Sequence, residues 1–284
     1  DPSCGSGVFL VSIFSRLAEE WKRVNPGARN DKRARELRKI LCTSVSGIDI
    51  NPTACRITAF GLYLAYLDQL SPRDIRQLKD RGHRLPRLVR YSDGVTKGKV
   101  EGSIYCGDFF QRSAKYPTQV DLVVGNPPWG SFANDGTPAA DWCEENDCPI
   151  PDKQIASAFV WKAAKHLNRG GGACLVLPHG TLFNHGETAV SFQKAFLSRH
   201  SVDLVLNLTD YQFFLFAEAR HPALVISYRS AKPEVATHDV SYWAPKADWL
   251  VTRADHISIL PEDRSTLKLI DVINDLSGED APQI

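Results

Sequence analysis

Apolar residues along this chain fall into two rhythms. Phe14, Leu17, Ala18 and Trp21 recur at helical spacing. They follow a glycine-bearing turn, Asp1-Pro2-Ser3-Cys4-Gly5-Ser6-Gly7-Val8-Phe9-Leu10, which opens the helix. After a polar, basic stretch, Val45–Ile50 is a short apolar run carrying an acidic residue near its end, which predicts a buried strand. Asn51-Pro52 then supplies a cap and a first-turn proline for a second helix running to about Leu70. Asn accepts from free first-turn N–H groups, and Pro has no N–H to leave unpaired. Residues 71–100 read as a polar insertion. Further apolar runs at Ser103–Cys106, Val120–Val124, Ala173–Leu177, Val202–Leu206 and Ala223–Tyr228 predict strands, and Ile155–Leu167 and Ala189–Leu197 predict helices between them. Short strands without polar alternation are buried on both faces, so the pattern predicts an α/β fold with a mainly parallel sheet flanked by helices. Too little chain joins Val202–Leu206 to Ala223–Tyr228 for a crossover helix, which makes the last strand antiparallel. From about Ser230 the pattern loosens, and Val240–Trp243 and Leu267–Leu276 read as the start of another region.

Composition narrows the class without naming a function. The 284 residues, with a formal net charge of +1, suit one large domain or two small ones. No apolar run approaches the ~20 residues of a membrane span, and no basic-then-apolar stretch precedes a small-residue cleavage site, so a membrane or secreted protein is not expected. Seven scattered cysteines fit free thiols in a reducing cytoplasm. The near-neutral total hides an uneven distribution. Residues 22–39 carry eight Lys/Arg against Asp31 and Glu36, and residues 73–99 carry nine against Asp74, Asp80 and Asp93. Such segments are either solvated faces or a surface for DNA. The chain has no Met and opens on Asp1-Pro2-Ser3, which sets the expectation of a piece of a longer polypeptide.

Four short sequences stand where open α/β sheets place ligands, beyond the carboxyl ends of strands. Gly5 and Gly7 let a backbone approach a ligand closely at the opening of a helix, although a plain strand-to-helix turn has the same look. Asp49 ends a strand, where a carboxylate can accept both hydroxyls of a ribose, yet Asp49-Ile50-Asn51-Pro52 reads equally as a helix-capping turn. Asp108 in Gly107-Asp108-Phe109-Phe110 is placed to accept an exocyclic adenine amine with Phe109 against the ring, or is another loop Asp. Asn126-Pro127-Pro128-Trp129 decides between these readings. Consecutive prolines fix the backbone and remove donors, so carbonyls and the Asn amide oxygen are left as acceptors for an amino group, with an aromatic beside them to stack a base.

In these residues the chain resembles the class I S-adenosylmethionine-dependent DNA adenine-N6 methyltransferases, with the cofactor motifs ahead of the catalytic one. Residues 1–10 are similar to that family's cofactor loop, and Asn126-Pro127-Pro128-Trp129 to its catalytic tetrapeptide. Val176-Leu177-Pro178 and Phe216 ahead of Pro222 are similar to its later pattern. The resemblance covers about residues 1–230. It implies a Rossmann-like methyltransferase sheet and cofactor contacts from Asp1, Cys4, Gly5, Gly7, Asp49, Ile50, Asp108 and Phe109. It implies catalysis by Asn126, Pro127, Pro128 and Trp129, and stacking of a flipped base on Trp129 and Phe216, with Phe213 and Phe214 as neighbours. The cofactor is then S-adenosylmethionine and the substrate double-stranded DNA, in a restriction-modification or phage-defence system with a target-recognition region and restriction or defence partners.

On this reading residues 1–230 are a catalytic domain lacking the sheet's first, central strand, and residues 231–284 begin a C-terminal extension or target-recognition region. Such a chain is expected to bind cofactor poorly by itself. The rivals are methylation of an RNA adenine or a protein glutamine, and a catalytically silent nucleic-acid-binding scaffold. A nicotinamide dehydrogenase fits less well, because the loop lacks the third spaced glycine and Gly7 stands far from Asp49. Cys143 and Cys148 are spaced for half a zinc site, but no second pair of ligands stands nearby in sequence.

Overall fold

The computed structural model describes residues 1–80, 82, 84–91, 100–111, 116–131, 136–215, 222–248 and 257–278. The chain forms two compact units, Asp1–Pro117 and Thr118–Ile284.

In the first unit, helix α1 (Val8–Val24) buries Leu10, Phe14 and Ala18, which lie four residues apart on one face. Its Lys22 and Arg23 stand in the last turn, where the negative end of the helix favours cations. Helix α2 (Asn30–Thr43) lies in the first basic stretch and buries Ala34, Leu37 and Leu41. Strand β1 (Gly47–Asp49) leads into helix α3 (Pro52–Asp68), whose Asn51 cap accepts from the N–H groups of Thr53 and Ala54 at 2.8 and 3.4 Å. Leu10, Phe14, Leu37, Leu41, Leu62, Tyr66 and Ile104 meet in one core. Complete burial of a side chain such as Phe14 contributes about 1.5–3 kcal/mol.

The polar insertion is more ordered than its composition indicates. It holds helix α4 (Pro72–Asp80) and strand β2 (Val89–Tyr91), ahead of strand β3 (Ile104–Cys106). Asp74 is buried because Asn30 and the Ser71 N–H donate to it, at 2.7 and 3.3 Å. The three strands pair in the order β1-β3-β2, all parallel. The register Asp49↔Cys106 sets the carboxyl ends of β1 and β3 side by side. On the other edge of β1, the Asp1 backbone nitrogen donates to the Ser46 carbonyl at 2.8 Å, and the Ile48 N–H donates to the Asp1 carbonyl at 2.9 Å.

The second unit opens with strand β4 (Val120–Gly125) and helices α5 (Pro138–Glu145) and α6 (Ile155–His166). Strand β5 (Leu167–Pro178), helix α7 (Gly180–Phe183) and helix α8 (Glu187–Arg199) come next. Strand β6 (Ser201–Asn207), helix α9 (Gln212–Leu215) and strand β7 (Ala223–Arg229) follow. Strands β8 (Asp239–Trp243) and β9 (Arg264–Lys268) and helix α10 (Leu269–Ser277) complete the described elements. The strand order is β4-β5-β7-β6-β8-β9. Strand β7 is antiparallel to both β5 and β6, as the short connection requires.

Strand β5 starts earlier than its apolar run because residues 168–172 continue it past a register shift opposite Val120 and Leu122. Asn168 is held there by Asp121 at 2.7 Å. Beyond Ser230, two further strands extend the second sheet. Strand β8 pairs parallel with β6, and β9 pairs antiparallel with β8, as an exposed outer edge. Helix α6 is buried continuously from Ala156 to Ala164 and is rich in small residues, which permits close packing on the sheet. Its Val160 carbonyl accepts from the buried Tyr228 hydroxyl at 2.7 Å.

Candidate active site

The loop before α1 owes its shape to two left-handed glycines, with φ +53° at Gly5 and +83° at Gly7. Gly7 is also a contact requirement, because a Cβ there would stand 2.8 Å from the Thr58 methyl and 3.0 Å from the Thr58 Cα. A Cβ at Gly5 would meet nothing within 4 Å, so that backbone faces open space. Asp49 joins the loop to the strand end. One carboxylate oxygen accepts from the Gly5 N–H at 2.9 Å and the other from the Asn51 N–H at 2.8 Å. The Cys4 N–H donates to the Ile48 carbonyl at 2.8 Å, and the Thr58 hydroxyl donates to the Gly5 carbonyl at 2.9 Å. Burial raises the Cys4 thiol above its ordinary value, so Cys4 acts as a packed neutral group beneath the loop. Ile50 is 73% exposed, an apolar side chain standing in solvent next to the Asp49 carboxylate.

Asp108 reaches the same sheet end through the parallel pairing of β1 and β3, and the Gly107 N–H donates to the Asp49 carbonyl at 2.9 Å. Its carboxylate accepts from the Phe110 N–H at 2.7 Å. Phe109 is buried against Phe110 and Tyr116, with ring centroids 5.3 and 5.6 Å away, and the Tyr116 hydroxyl donates to its carbonyl. Burial first, and then the Asp108 charge, push the Tyr116 hydroxyl up to about 12.

In the second unit, Asn126-Pro127-Pro128-Trp129 leaves the carboxyl end of β4. Asn126 and Pro128 are exposed, Pro127 is buried and Trp129 is half-buried. Trp129 packs on a small cluster of Leu208, Tyr211 and Ala223. It also lines a cleft of about 570 Å³, with Gln154, Pro178, His179 and Thr181 on the other walls. The chain after the tetrapeptide is held by the Ile155 N–H, which donates to the Gly130 carbonyl at 2.9 Å, and by a bridge between Ser131 and Gln154. Asp152 accepts from Asn184 at 3.3 Å and from Thr188 at 3.1 Å, which fixes the far wall. His179 stacks on Phe183 at 4.3 Å, and burial lowers its pKa below the ordinary value. Phe213 and Phe214 are exposed on α9, and Phe216 lies outside the described residues.

Residues 43–214, more than half of the chain, match the family model described as Eco57I restriction-modification methylase. The chain belongs to the Eco57I restriction-modification methylase family.

The chain is 28% identical over 148 residues to the adenine-specific methyltransferase PglX of Streptomyces coelicolor, covering 45% of this chain and 12% of PglX. It is 21% identical over 281 residues to the type I restriction enzyme EcoEI methylase subunit of Escherichia coli, covering 90% of this chain and 48% of that subunit. The chain therefore spans about half or less of these relatives. The structure of a type I restriction-modification system methyltransferase subunit from Streptococcus thermophilus superimposes with a TM-score of 0.55 at 16% identity, over 99% of this chain and 48% of that one. The fold is that of the class I S-adenosylmethionine-dependent methyltransferases, α/β with a mostly parallel sheet.

In this Eco57I-family chain, the first unit gathers Asp1, Cys4, Gly5, Gly7, Asp49 and Asp108 around one sheet end. The second carries the tetrapeptide, of which Trp129 lines the cleft. Thr58 and Thr181 gave no signal in the sequence, because a lone threonine in an apolar helix carries no chemical pattern. Cys143 and Cys148 are buried thiols, and burial pushes Cys143 up to about 12. Among the described residues, no group of three or more His, Cys, Asp or Glu is placed to hold a metal ion. No described helix is long and apolar enough to cross a membrane.

Proposed function

We propose that this chain is the catalytic part of a DNA adenine-N6 methyltransferase that uses S-adenosylmethionine and serves as the modification component of a restriction-modification or phage-defence system. The observation that carries the reading is the tetrapeptide at the end of β4, with Asn126 exposed and Trp129 on the wall of a cleft roomy enough to admit a base. The residues of the first unit fit the cofactor. Gly5 leaves open the space a side chain would fill, and each Asp49 oxygen retains acceptor capacity beyond its backbone donor. In this assignment Asp49 holds the ribose hydroxyls, Ile50 and Phe109 bound the adenine, Asp108 accepts its amine, and Asp1, Cys4, Gly5 and Gly7 shape the loop around the remainder. When bound, S-adenosylmethionine supplies a methyl group already activated by its sulfonium.

The rest of the task is positioning. An exocyclic amine conjugated to a purine is a poor nucleophile. The Asn126 amide oxygen and the Pro127 carbonyl accept its two hydrogens, which draws the nitrogen toward tetrahedral geometry and localises its lone pair. Pro127 and Pro128 keep those acceptors pre-aimed, so little ordering is left for the reaction itself. No titrating base is required before transfer, because the proton leaves afterwards. The target adenine must leave the duplex, at a cost of a few kcal/mol, and the Trp129 face receives it, with Phe216 as its second partner. Residues 231–284 are assigned to the beginning of a C-terminal extension that leads toward target recognition, built outward on β8 and β9.

Labelled-methyl transfer to adenine-containing duplex DNA by the full-length protein, set against Asn126→Ala, tests the assignment. Loss of transfer in the variant is expected, by a factor of about 100 or more for a transition-state contact of this kind. Equal transfer by both proteins overturns it.

A further inference from the structure

We propose that the Thr181 hydroxyl reads the target base, donating a hydrogen bond to a ring nitrogen of the flipped adenine. This inference rests on the adenine-N6 reading above and adds a specificity-determining residue to it. Thr181 is only 3% exposed, and its Oγ1 has no hydrogen-bond partner among the described residues. Burying a hydroxyl unpaired costs stability, and a valine of nearly the same shape would avoid that cost. The residue therefore carries a polar group that the described fold does not use.

Its position gives that group a use. Thr181 follows Pro178 by three residues at the end of β5 and lines the same cleft as Trp129. Two other polar side chains on the wall, Asp152 and Asn184, are already engaged. The Asp152 carboxylate holds Asn184 and Thr188, and the Asn184 amide oxygen accepts from the Gly186 N–H at 3.0 Å. In the proposed reaction, the two hydrogens of the adenine amine go to Asn126 and Pro127. What the base still offers is ring nitrogens, which only accept. A hydroxyl with its proton uncommitted complements them. A purine positioned by that contact is held in its own plane, while Trp129 fixes it from the face.

The inference makes two readouts move in opposite directions. In the full-length protein, Thr181→Val should leave the thermal midpoint unchanged or raise it, because the hydroxyl it removes holds no internal bond. The same variant should lower kcat/KM for adenine-containing duplex by about tenfold, the value of one hydrogen bond to a buried partner. Thr181→Ser should restore much of that activity. Transfer by Thr181→Val at the wild-type rate overturns the inference and leaves the adenine reading standing. A midpoint several degrees lower gives the hydroxyl a structural role and overturns it as well. Absence of transfer to adenine by the wild-type protein removes the underlying reading, and this inference with it.

Discussion

Replacing Gly7 by Ala separates two costs that the glycine-bearing loop before α1 combines. The first is backbone conformation. At φ +83° an L-residue brings its Cβ against its own carbonyl, at about 1–2 kcal/mol. The second is contact with α3, where the new Cβ would lie 2.8 Å from Thr58 Cγ2 and 2.9 Å from Thr58 Oγ1. Overpacking of that kind costs about 1–3 kcal/mol when the neighbour cannot withdraw. Thr58 has little freedom, because it is fully buried and its hydroxyl holds the Gly5 carbonyl at 2.9 Å. The expected destabilisation is about 2–5 kcal/mol. Thr58→Ala alone removes one hydrogen bond and a methyl group. In the double variant, the side-chain clash is gone while the φ cost and the 3.0 Å approach to the Thr58 Cα remain. A double-mutant cycle in urea should therefore return a favourable coupling of about 1–2 kcal/mol. Cofactor titration should follow the same order, with the double variant binding better than Gly7→Ala alone. Gly7→Ala within about 0.5 kcal/mol of wild type, or purely additive variants, would refute the reasoning.

Two further outcomes concern other parts of the molecule. His200 sits among Trp161, Phe196 and Tyr228, and burial, aided by Arg199 and Lys165, lowers its pKa to about 4. At and above neutral pH both folded and unfolded states are neutral there, and its full contribution is present. As pH falls from 6.5 toward 4 the unfolded chain takes up the proton first, and about 3 kcal/mol of stability should disappear. The urea midpoint followed over that range should show this decline, flattened in His200→Phe, and an identical decline in the variant would assign it elsewhere. On α2 and α4, the exposed Lys32, Lys39, Arg73 and Arg76 are candidates for binding DNA phosphates. Neutralising them together should reduce the slope of log affinity for duplex DNA against log salt by about 0.9 for each phosphate that is no longer neutralised, and an unchanged slope would show a merely solvated surface.

The sequence carried the site's skeleton because that skeleton is local. A glycine-bearing turn, an acid near a strand end and an Asn-Pro-Pro-aromatic loop each lie within a few residues. The parallel register that brings Asp49 beside Cys106 follows from an α/β alternation visible in the hydrophobic pattern. What the pattern hides depends on distant partners. The basic stretch at 22–39 gives no strong apolar signal, yet Ala34, Leu37 and Leu41 are enough to dock α2 once α1 and α3 are present. Asp74 looks like a solvated acid until Asn30 is folded against it. The edge strand β9 is exposed at all five positions, so it has no buried face to announce it. The aromatic packing of Phe109 on Phe110 and Tyr116 is likewise invisible in the pattern, because Tyr116 lies seven residues on and meets the ring only in the folded loop.

The seating of Trp129 on Leu208, Tyr211 and Ala223 also has a meaning in time. These supports are made long after the tetrapeptide, since β7 closes the middle of its sheet from the far end of the chain. At ~5–20 residues per second, the ribosome delivers them on the order of ten seconds later. Until then the acceptors on Asn126 and Pro127 have no firm backing. A nascent or prematurely terminated chain that stops before Leu208 would thus carry the whole Asn126–Trp129 tetrapeptide while lacking the surface on which Trp129 rests.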